Sequence, residues 1–411
     1  MTAATAATAA TAAIFLLTYI VVAVGRVPGL RLDRAGAALV GGSLMLAVGA
    51  VTLDDLGKAV DLPTLALLLG LMIVVGNLRL SGFFRLVTAW VVAHARHPLQ
   101  LLAAVILSAG IFSAFLLNDA ICLVMTPIVV DIARRLRRDP VPYLLAVAMA
   151  SNIGSTATIT GNPQNILIGS FSGIAYGRFA AALSPVAADG LVLTFALIRL
   201  MHREEFHRRG DGFAAHRPPA HLHRPLTLKA LVVTLAMVAG FFAGLPPALV
   251  ALVAGGAMLL TRIVRSERIY REIDWPLLLM FAGLFVVVAG FEKVLLTPEV
   301  VAAVARLHLD QVPVLSLVTA ALSNIVSNVP AVLVLRPFIG AAGEPDRAWL
   351  TVAMASTLAG NLTILGSVAN LIVVQGARVQ GVPIGFWAYF RVGAPLTVLT
   401  IVIGACWLSL P

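Results

Sequence analysis

Long apolar runs separated by short polar breaks dominate the chain. Runs at 12–25, 35–52, 62–78 and 179–200, then at 227–244, 247–264, 274–291 and 387–409, approach the ~20 residues a helix needs to cross hydrocarbon. Two more crossings, 142–171 and 347–375, are interrupted by Gly, Pro, amides and hydroxyls. Backbone broken at membrane depth cannot face lipid, because its N–H and C=O groups would go unsatisfied at several kcal/mol each. Such a break persists only where it is buried in protein or lines a wet cavity, which is where transporters bind their cargo.

The two breaks are copies. Ser151-Asn-Ile-Gly-Ser-Thr-Ala-Thr-Ile-Thr-Gly-Asn-Pro-Gln-Asn165 follows Val147-Ala-Met-Ala150, and Ser356-Thr-Leu-Ala-Gly-Asn-Leu-Thr-Ile-Leu-Gly-Ser-Val-Ala-Asn370 follows Val352-Ala-Met-Ala355. In register, Ser151, Thr158, Gly161 and Asn165 match Ser356, Thr363, Gly366 and Asn370. The duplication extends further. Asp61-Leu-Pro63 recurs as Asp274-Trp-Pro276, Ser113, Asn118 and Pro127 recur as Ser323, Asn328 and Pro337, and Gly173-Ile-Ala-Tyr-Gly177 recurs as Gly381-Val-Pro-Ile-Gly385.

Two apolar stretches, 99–130 and 312–339, have polar centres, Leu117-Asn118-Asp119 and Ser327-Asn328-Val329-Pro330. Each reads as a kinked crossing or as a re-entrant hairpin, and charge decides between them. With both re-entrant, the inner loops hold Arg26, Arg31 and Arg34; Arg79, Arg85, Arg96 and Arg134 to Arg138; Arg203 to Arg224; and Arg262 to Arg271. The outer loops then hold Asp54, Asp55 and Asp61, a lone Arg178 and Leu245-Pro-Pro247, a positive-inside pattern with both termini outside. If 99–130 crossed, Arg134 to Arg138 would face away from Arg79, Arg85 and Arg96.

The expected fold is therefore an all-α polytopic membrane protein of two repeats, 1–201 and 227–411, joined by a polar cytoplasmic loop at 202–226. Each repeat has five transmembrane helices, one of them broken, plus one hairpin. An odd number of crossings makes the repeats inverted.

Composition agrees. Only 12% of the 411 residues are charged and 60% are hydrophobic, against about 25% charged in soluble proteins. The net charge of +10 lies in short loops rather than in a continuous patch, so no nucleic-acid partner is expected. The Ala/Thr-rich N-terminus lacks a basic leader region, which makes the first run a retained helix. Cys122 and Cys406 both sit in apolar sequence and read as small hydrophobes.

Half-helix N-termini at the breaks and hairpin tips suit an anion, while unwound carbonyls suit a cation such as Na⁺. The polar side chains placed there are Asn118, Thr156, Thr158, Asn162, Gln164, Asn165, Ser327, Asn328, Asn361, Thr363, Ser367 and Asn370, with Gly161 and Gly366 in the turns. These are the expected substrate-binding set. Neutral amides hold a small oxyanion yet release it, whereas the bland role of the same residues is to cap helices or join them. Asp119 is the clearest ionisable group at depth and the expected coupling residue, with Asn118, Ser151 and Asn152 beside it. H⁺ or Na⁺ is the expected coupling ion, with Na⁺ placed near Asn118 and Gly154. No other cofactor is expected.

Other polar residues read as structural. Asp189 falls in an apolar run without polar neighbours and reads as buried and paired or near an interface. Glu292, Lys293 and Arg336 lie near segment ends and can snorkel. His202, His207, His216, His221 and His223 lack zinc spacing and read as a solvated loop. Neither a Walker loop nor a Gly-x-Ser-x-Gly elbow is present, so an ATPase or hydrolase has no support.

At these residues the chain resembles the ion transporter superfamily of arsenite permeases, Na⁺/H⁺ antiporters and divalent-anion/Na⁺ symporters of the citrate type. Gly154-Ser-Thr-Ala-Thr-Ile-Thr-Gly161-Asn-Pro-Gln-Asn165 is similar to the broken-helix motif of its anion symporters and permeases. Asn118-Asp-Ala-Ile-Cys-Leu-Val-Met-Thr-Pro127 and Asn328-Val-Pro-Ala-Val-Leu-Val334 resemble the hairpins of the arsenite-permease branch. The dicarboxylate symporters carry Ser-Asn-Thr at both tips, and here only the Asn is kept in both. The resemblance implies an elevator mechanism, a homodimer and no enzymatic activity. The combined expectation is a cation-coupled transporter of a small anion in the cell inner membrane. An arsenite or antimonite efflux permease is the nearest alternative, and an ion channel the alternative of another class.

Overall fold

The computed structural model describes residues 3–25, 29–87, 97–207, 224–261, 263–339 and 344–410. Arg26, Arg96, Arg262 and the linker stretch 208–223, with His216, His221 and His223, lie outside the described residues. Among the described residues every regular element is a helix. Seven helices among the described residues are long and apolar enough to cross a membrane, and the chain is an integral membrane protein.

The first half runs α1 (Ala3–Val24), α2 (Arg34–Ala47), α3 (Leu56–Ala59), α4 (Leu62–Ser81), α5 (Pro98–Phe115), α6 (Asn118–Arg135), α7 (Pro140–Thr156), α8 (Pro163–Ser172) and α9 (Tyr176–Met201). The short α10 (Arg203–His207) follows. The second half runs α11 (Arg224–Phe242), α12 (Pro247–Leu259), α13 (Ser266–Tyr270), α14 (Trp275–Val294), α15 (Pro298–Ala305), α16 (Val312–Val326), α17 (Asn328–Ile339), α18 (Pro345–Ala359), α19 (Val368–Val379) and α20 (Phe386–Leu408). Two predicted crossings are shorter as helices than the sequence suggested. α2 stops at Ala47, followed by Gly49 at φ 73°, and α12 stops at Leu259. At 14 and 13 residues both fall short of the ~20 that span hydrocarbon.

Helix starts follow local chemistry. Asp61 and Asp274 occupy the repeated Asp-x-Pro positions, and each carboxylate accepts from a backbone N–H, that of Thr64 or Leu277, at the head of α4 or α14. The following prolines, Pro63 and Pro276, lack only donors that would be orphaned anyway.

The halves pack by exchanging partners. α4 lies against α12, and α14 lies against α2. A Cβ on Gly70 would fall 2.4 Å from the Ala251 backbone, and one on Gly283 would fall 2.4 Å from the Ala38 backbone. Gly70 and Gly283 are equivalent in the two halves, as are Ala38 and Ala251, so one contact occurs twice with the halves swapped. Small residues let these helices approach closely, which is how packing holds helices together in lipid.

The remaining helices form a second group. The hairpin arm α5 packs on α7 as α16 packs on α18, and α9 packs on α7 as α20 packs on α18. α5 is itself long enough to cross, but its C-terminal end and the α6 N-terminus meet inside the protein beside the first break. At the polar base of this group Glu205 of α10 accepts from Tyr143 OH at 3.2 Å and from the Asp139 N–H at 3.3 Å. Arg138 lies 3.9 Å from its carboxylate. Burial pushes the Glu205 carboxyl upward while those partners pull it down.

Three sequence expectations change. Asp189 is exposed midway along α9 and has no ion pair among the described residues, because the helix turns it away from α7 and α20. Glu292 and Arg336 pair with each other at 3.8 Å, and Arg336 also lies over the Phe171 ring at 4.3 Å. Lys293 reaches Asp55 at 2.8 Å.

Gly70→Val and Gly283→Val are each expected to lower stability by about 1–3 kcal/mol through overpacking. Thermal unfolding of the detergent-solubilised protein measures this, and an unshifted midpoint would refute the close helix approach.

Candidate functional site

Each broken helix has the same local structure. After α7 ends at Thr156, Thr158 is extended, Ile159–Gly161 makes one tight turn, and Asn162 is extended before α8. After α18 ends at Ala359, Thr363 is extended, Ile364–Gly366 turns, and Ser367 is extended before α19. Asn162 and Ser367 cap the helices that follow, accepting from the N–H of Asn165 and of Ala369.

The repeated asparagines close the gaps. Asn165 Nδ2 donates to the carbonyls of Ser155 and Thr158 at 3.1 and 3.0 Å. Asn370 Nδ2 donates to the carbonyls of Gly360 and Thr363 at 2.7 and 3.0 Å. Thr158 Oγ1 donates to the Ala114 carbonyl at the end of α5, and Asn324 Nδ2 donates to the Ala359 carbonyl. The Ser155, Thr158, Ala359, Gly360 and Thr363 carbonyls at the breaks are thus satisfied within the protein. Ser155 approaches so closely that a Cβ on Gly161 would fall 2.2 Å from its carbonyl oxygen.

Asn152 is the hub between the halves. Its Nδ2 donates to Asn361 Oδ1 at 2.9 Å and to Asn370 Oδ1 at 3.0 Å. Its Oδ1 accepts from Asn118 Nδ2 and from Ser367 Oγ, both at 3.1 Å. Because Asn370 and Asn361 spend their amide hydrogens on backbone carbonyls, the orientations of the Asn361, Asn370, Asn152 and Asn118 amides are fixed. The last member is Asn118, 4% exposed, whose Oδ1 finds no partner. Its counterpart differs, since Asn328 Oδ1 lies 2.6 Å from Ser323 Oγ.

Both hairpin tips and both breaks meet at one open cavity of about 320 Å³. Asn118 and Asp119 at the start of α6, Pro163 and Gln164 at the start of α8, Asn328 at the start of α17, and Ser367 and Val368 before and at the start of α19 line it. Four helix N-termini from the hairpins and breaks therefore converge on one space, each carrying about half a positive charge, with the Asp-capped starts of α2 and α14 opposite them. Ser327, also on the wall, adopts φ 78°, a conformation sparse for a residue with a side chain and common at ligand-contacting positions. The opposite wall comes from α1, α2 and α14 and includes Asp33, Arg34, Asp274 and Pro276. Asp33 and Asp274 each cap their own helix.

Of the sequence-expected residues, Asn118, Asp119, Gln164, Ser327, Asn328 and Ser367 reach this cavity. Thr156, Thr158, Asn162, Asn165, Asn361 and Asn370 are buried away from its lining, as are Gly161 and Gly366, while Thr363 is partly exposed and does not line it. Ser151 and Asn152 are buried and bridge Asn118 to the breaks. Gly154 lies at the α5–α7 crossing, where a Cβ would fall 2.1 Å from the Gly110 carbonyl oxygen, away from the cavity. Asp119 is the second residue of α6 rather than its cap, and its carboxylate makes no hydrogen bond or ion pair among the described residues. Asp33, Arg34 and Asp274 were missed as site residues, although Asp274 carried a signal in the repeated Asp-x-Pro motif. Among the described residues no group of three or more His, Cys, Asp or Glu is arranged to hold a metal.

With this geometry in view, residues 14–359 match the citrate transporter family profile. The chain belongs to the citrate transporter family. An uncharacterised transporter of Mycobacterium tuberculosis is 30% identical, over 97% of this chain and 98% of the relative. A silicon efflux transporter of Oryza sativa subsp. japonica is 30% identical over 92% and 93%. The crystal structure of the Alcanivorax borkumensis YdaH transporter, at 16% identity, superposes with a TM-score of 0.62 over 98% of this chain and 97% of that one. The family and these relatives are transporters within the ion transporter superfamily, and the fold is theirs.

Removing an amide that seals a break leaves two carbonyls without their donor. Asn165→Ala and Asn370→Ala are each expected to destabilise the fold by about 1–3 kcal/mol. Thermal unfolding and amide exchange across 155–165 and 360–370 check this, and wild-type values in both variants would refute the sealing role.

Proposed function

We propose that this family member is a secondary active transporter of a small oxyanion, coupled to a cation gradient. The observation that carries the reading is the convergence of four helix N-termini on one cavity whose neighbouring carbonyl ends are already satisfied. Backbone N–H groups and dipoles attract an oxyanion without the permanent charge that would hinder its release. Arg34, at the cavity wall, adds attraction on the solute's approach.

Asp119 is the coupling group in this reading. A carboxylate at membrane depth without an ion pair is stable when protonated or hydrated, which makes it a proton carrier by position. H⁺ is favoured over Na⁺ because Asn165 and Asn370 occupy carbonyls that would otherwise ligate a cation at the breaks. Translocation follows an elevator scheme, in which hairpins, broken helices, α9 and α20 slide against a scaffold of α1, α2, α4, α11, α12 and α14. The repeats are inverted, both termini lie outside, the membrane is the cell inner membrane, and two copies associate as a homodimer.

A second reading is transport of a neutral hydroxide such as arsenite, antimonite or silicic acid. Two observations favour it. The unpartnered Asn118 Oδ1 requires a donor, which a hydroxyl supplies and a fully ionised anion does not. The cavity also holds three carboxylates, Asp33, Asp119 and Asp274, against one guanidinium. The rice relative exports silicon.

Flux into proteoliposomes separates these readings. An oxyanion and dicarboxylate panel, with arsenite and silicic acid, is tested under imposed H⁺ or Na⁺ gradients. Asp119→Asn is expected to abolish gradient-driven uptake while leaving folded protein in the membrane, and unchanged uptake removes Asp119 from coupling. Asn118→Ala and Asn328→Ala are expected to weaken solute affinity by about 1–3 kcal/mol, roughly 5- to 150-fold. Wild-type binding in both would mean that these amides only join helices.

A further inference from the structure

Asp119 faces two cavities. Beside the main one lies a smaller side cavity of about 110 Å³, and the two share Asp119, Pro163, Asp274 and Leu277 in their walls. The walls differ in chemistry. The main cavity mixes amides and hydroxyls with its charges, as a solute site requires. The side cavity is apolar except for Arg79, Asp119, Glu272 and Asp274, so every polar side chain in it is ionisable. A water needs about 10–15 Å³ of such space, so the side cavity has room for several waters between these side chains.

The acids run from depth toward the end of α4. Asp274 uses Oδ1 to cap α14, and no other hydrogen bond to its carboxylate is formed among the described residues. Glu272 pairs with Arg79 at 2.7 Å, with the two side chains 21% and 41% exposed. Glu272 sits directly over Gly76, where a Cβ would fall 2.9 Å from its own Cβ, so the helix there has no side chain to block the route. The charged groups facing Asp119 from the elements around it are Asp33 and Arg34 of the α1–α2 connection and α2, Arg79 of α4, and Glu272 and Asp274 before α14.

We propose that the side cavity is a proton route separate from the solute route. Asp119 releases its proton through water to Asp274 and Glu272 and so to the solution beside Arg79, while the solute leaves by the main cavity. The O–H bond of the protonated Asp119 breaks, its carboxylate keeps the electron pair, and the acceptor carboxylates pass the proton on unchanged. This reading rests on Asp119 as the coupling group. Two exits explain how the coupling ion can depart without competing with the solute for one space.

The test uses full-length protein in proteoliposomes, with the solute that wild type takes up fastest from the panel above. Net uptake driven by a pH gradient is compared with solute-for-solute exchange at equal pH, which needs no net proton release. Glu272→Gln is expected to slow net uptake at least about tenfold while exchange stays within about twofold of wild type. Asp274→Asn keeps the helix cap, since Asn caps as well as Asp, and is expected to slow net uptake likewise. Arg79→Gln breaks the same ion pair but retains the carboxylate, and is expected to keep net uptake within about threefold, as a surface pair adds little. Equal losses in net uptake and exchange, wild-type net uptake in Glu272→Gln, or an Arg79→Gln defect matching that of Glu272→Gln would each overturn the route. A wild type that ignores the pH gradient overturns Asp119 coupling and the route together, whereas proton-driven uptake in wild type that survives Glu272→Gln overturns the route alone.

Discussion

The structure depends on satisfying the backbone where two helices are broken inside the membrane. Lipid offers no hydrogen bonds, so each break must find its partners within the chain. Asn165 and Asn370 meet that need in the same way, each reaching back from the first turn of the following helix to two carbonyls of the break. Beyond these sealed carbonyls, the helices that follow turn their N-terminal ends to the cavity, capped by Asn162 and Ser367. The electrostatic character of the cavity is thus a consequence of how the breaks are closed.

The halves share this architecture but differ at the hairpin tips. Asn328 folds its amide oxygen onto Ser323, whereas Asn118 turns toward Asn152 and leaves both its own oxygen and Ser113 Oγ without partners. Asp119 has Val329 as its counterpart, and Ser327, with its positive φ, has Leu117. One tip therefore presents an ionisable group and an orphan acceptor, and the other a strained backbone and a satisfied amide. The duplicated frame thus carries unlike tips.

The packing divides the labour. Gly70 against Ala251 and Gly283 against Ala38 bring α4 to α12 and α14 to α2 at backbone contact. The second group of helices is joined across the breaks by the Asn152 hub and at its polar base by Glu205 with Tyr143 and Asp139. Arg79, Asp33, Arg34, Glu272 and Asp274 line the cavities from α2, α4 and the connections before α2 and α14, so the charges facing Asp119 come from other elements than its own α6.

Much of this was legible in the sequence, because lipid imposes simple rules. Apolar length gave the helices, Gly, Pro and amide clusters gave the breaks, and the repeated Asn marked equivalent positions. The residues at the hairpin tips were found because a polar residue in an apolar run has few harmless explanations. What composition could not separate was which polar side chains face the cavity and which seal the backbone behind it. Asn118 and Asn165 look alike in the sequence, yet one lines the cavity and the other is spent on Ser155 and Thr158. Likewise Asp33, Arg34 and Asp274 read as loop charges until α2 and α14 were brought against the tips. The linear pattern determined which segments enter the membrane and where they break, since that depends on local hydropathy. Only tertiary structure decided the roles of the polar atoms, because a hydrogen-bonding group is spent or available according to the neighbours the fold brings beside it, as it brings Asn361 and Asn370 to Asn152.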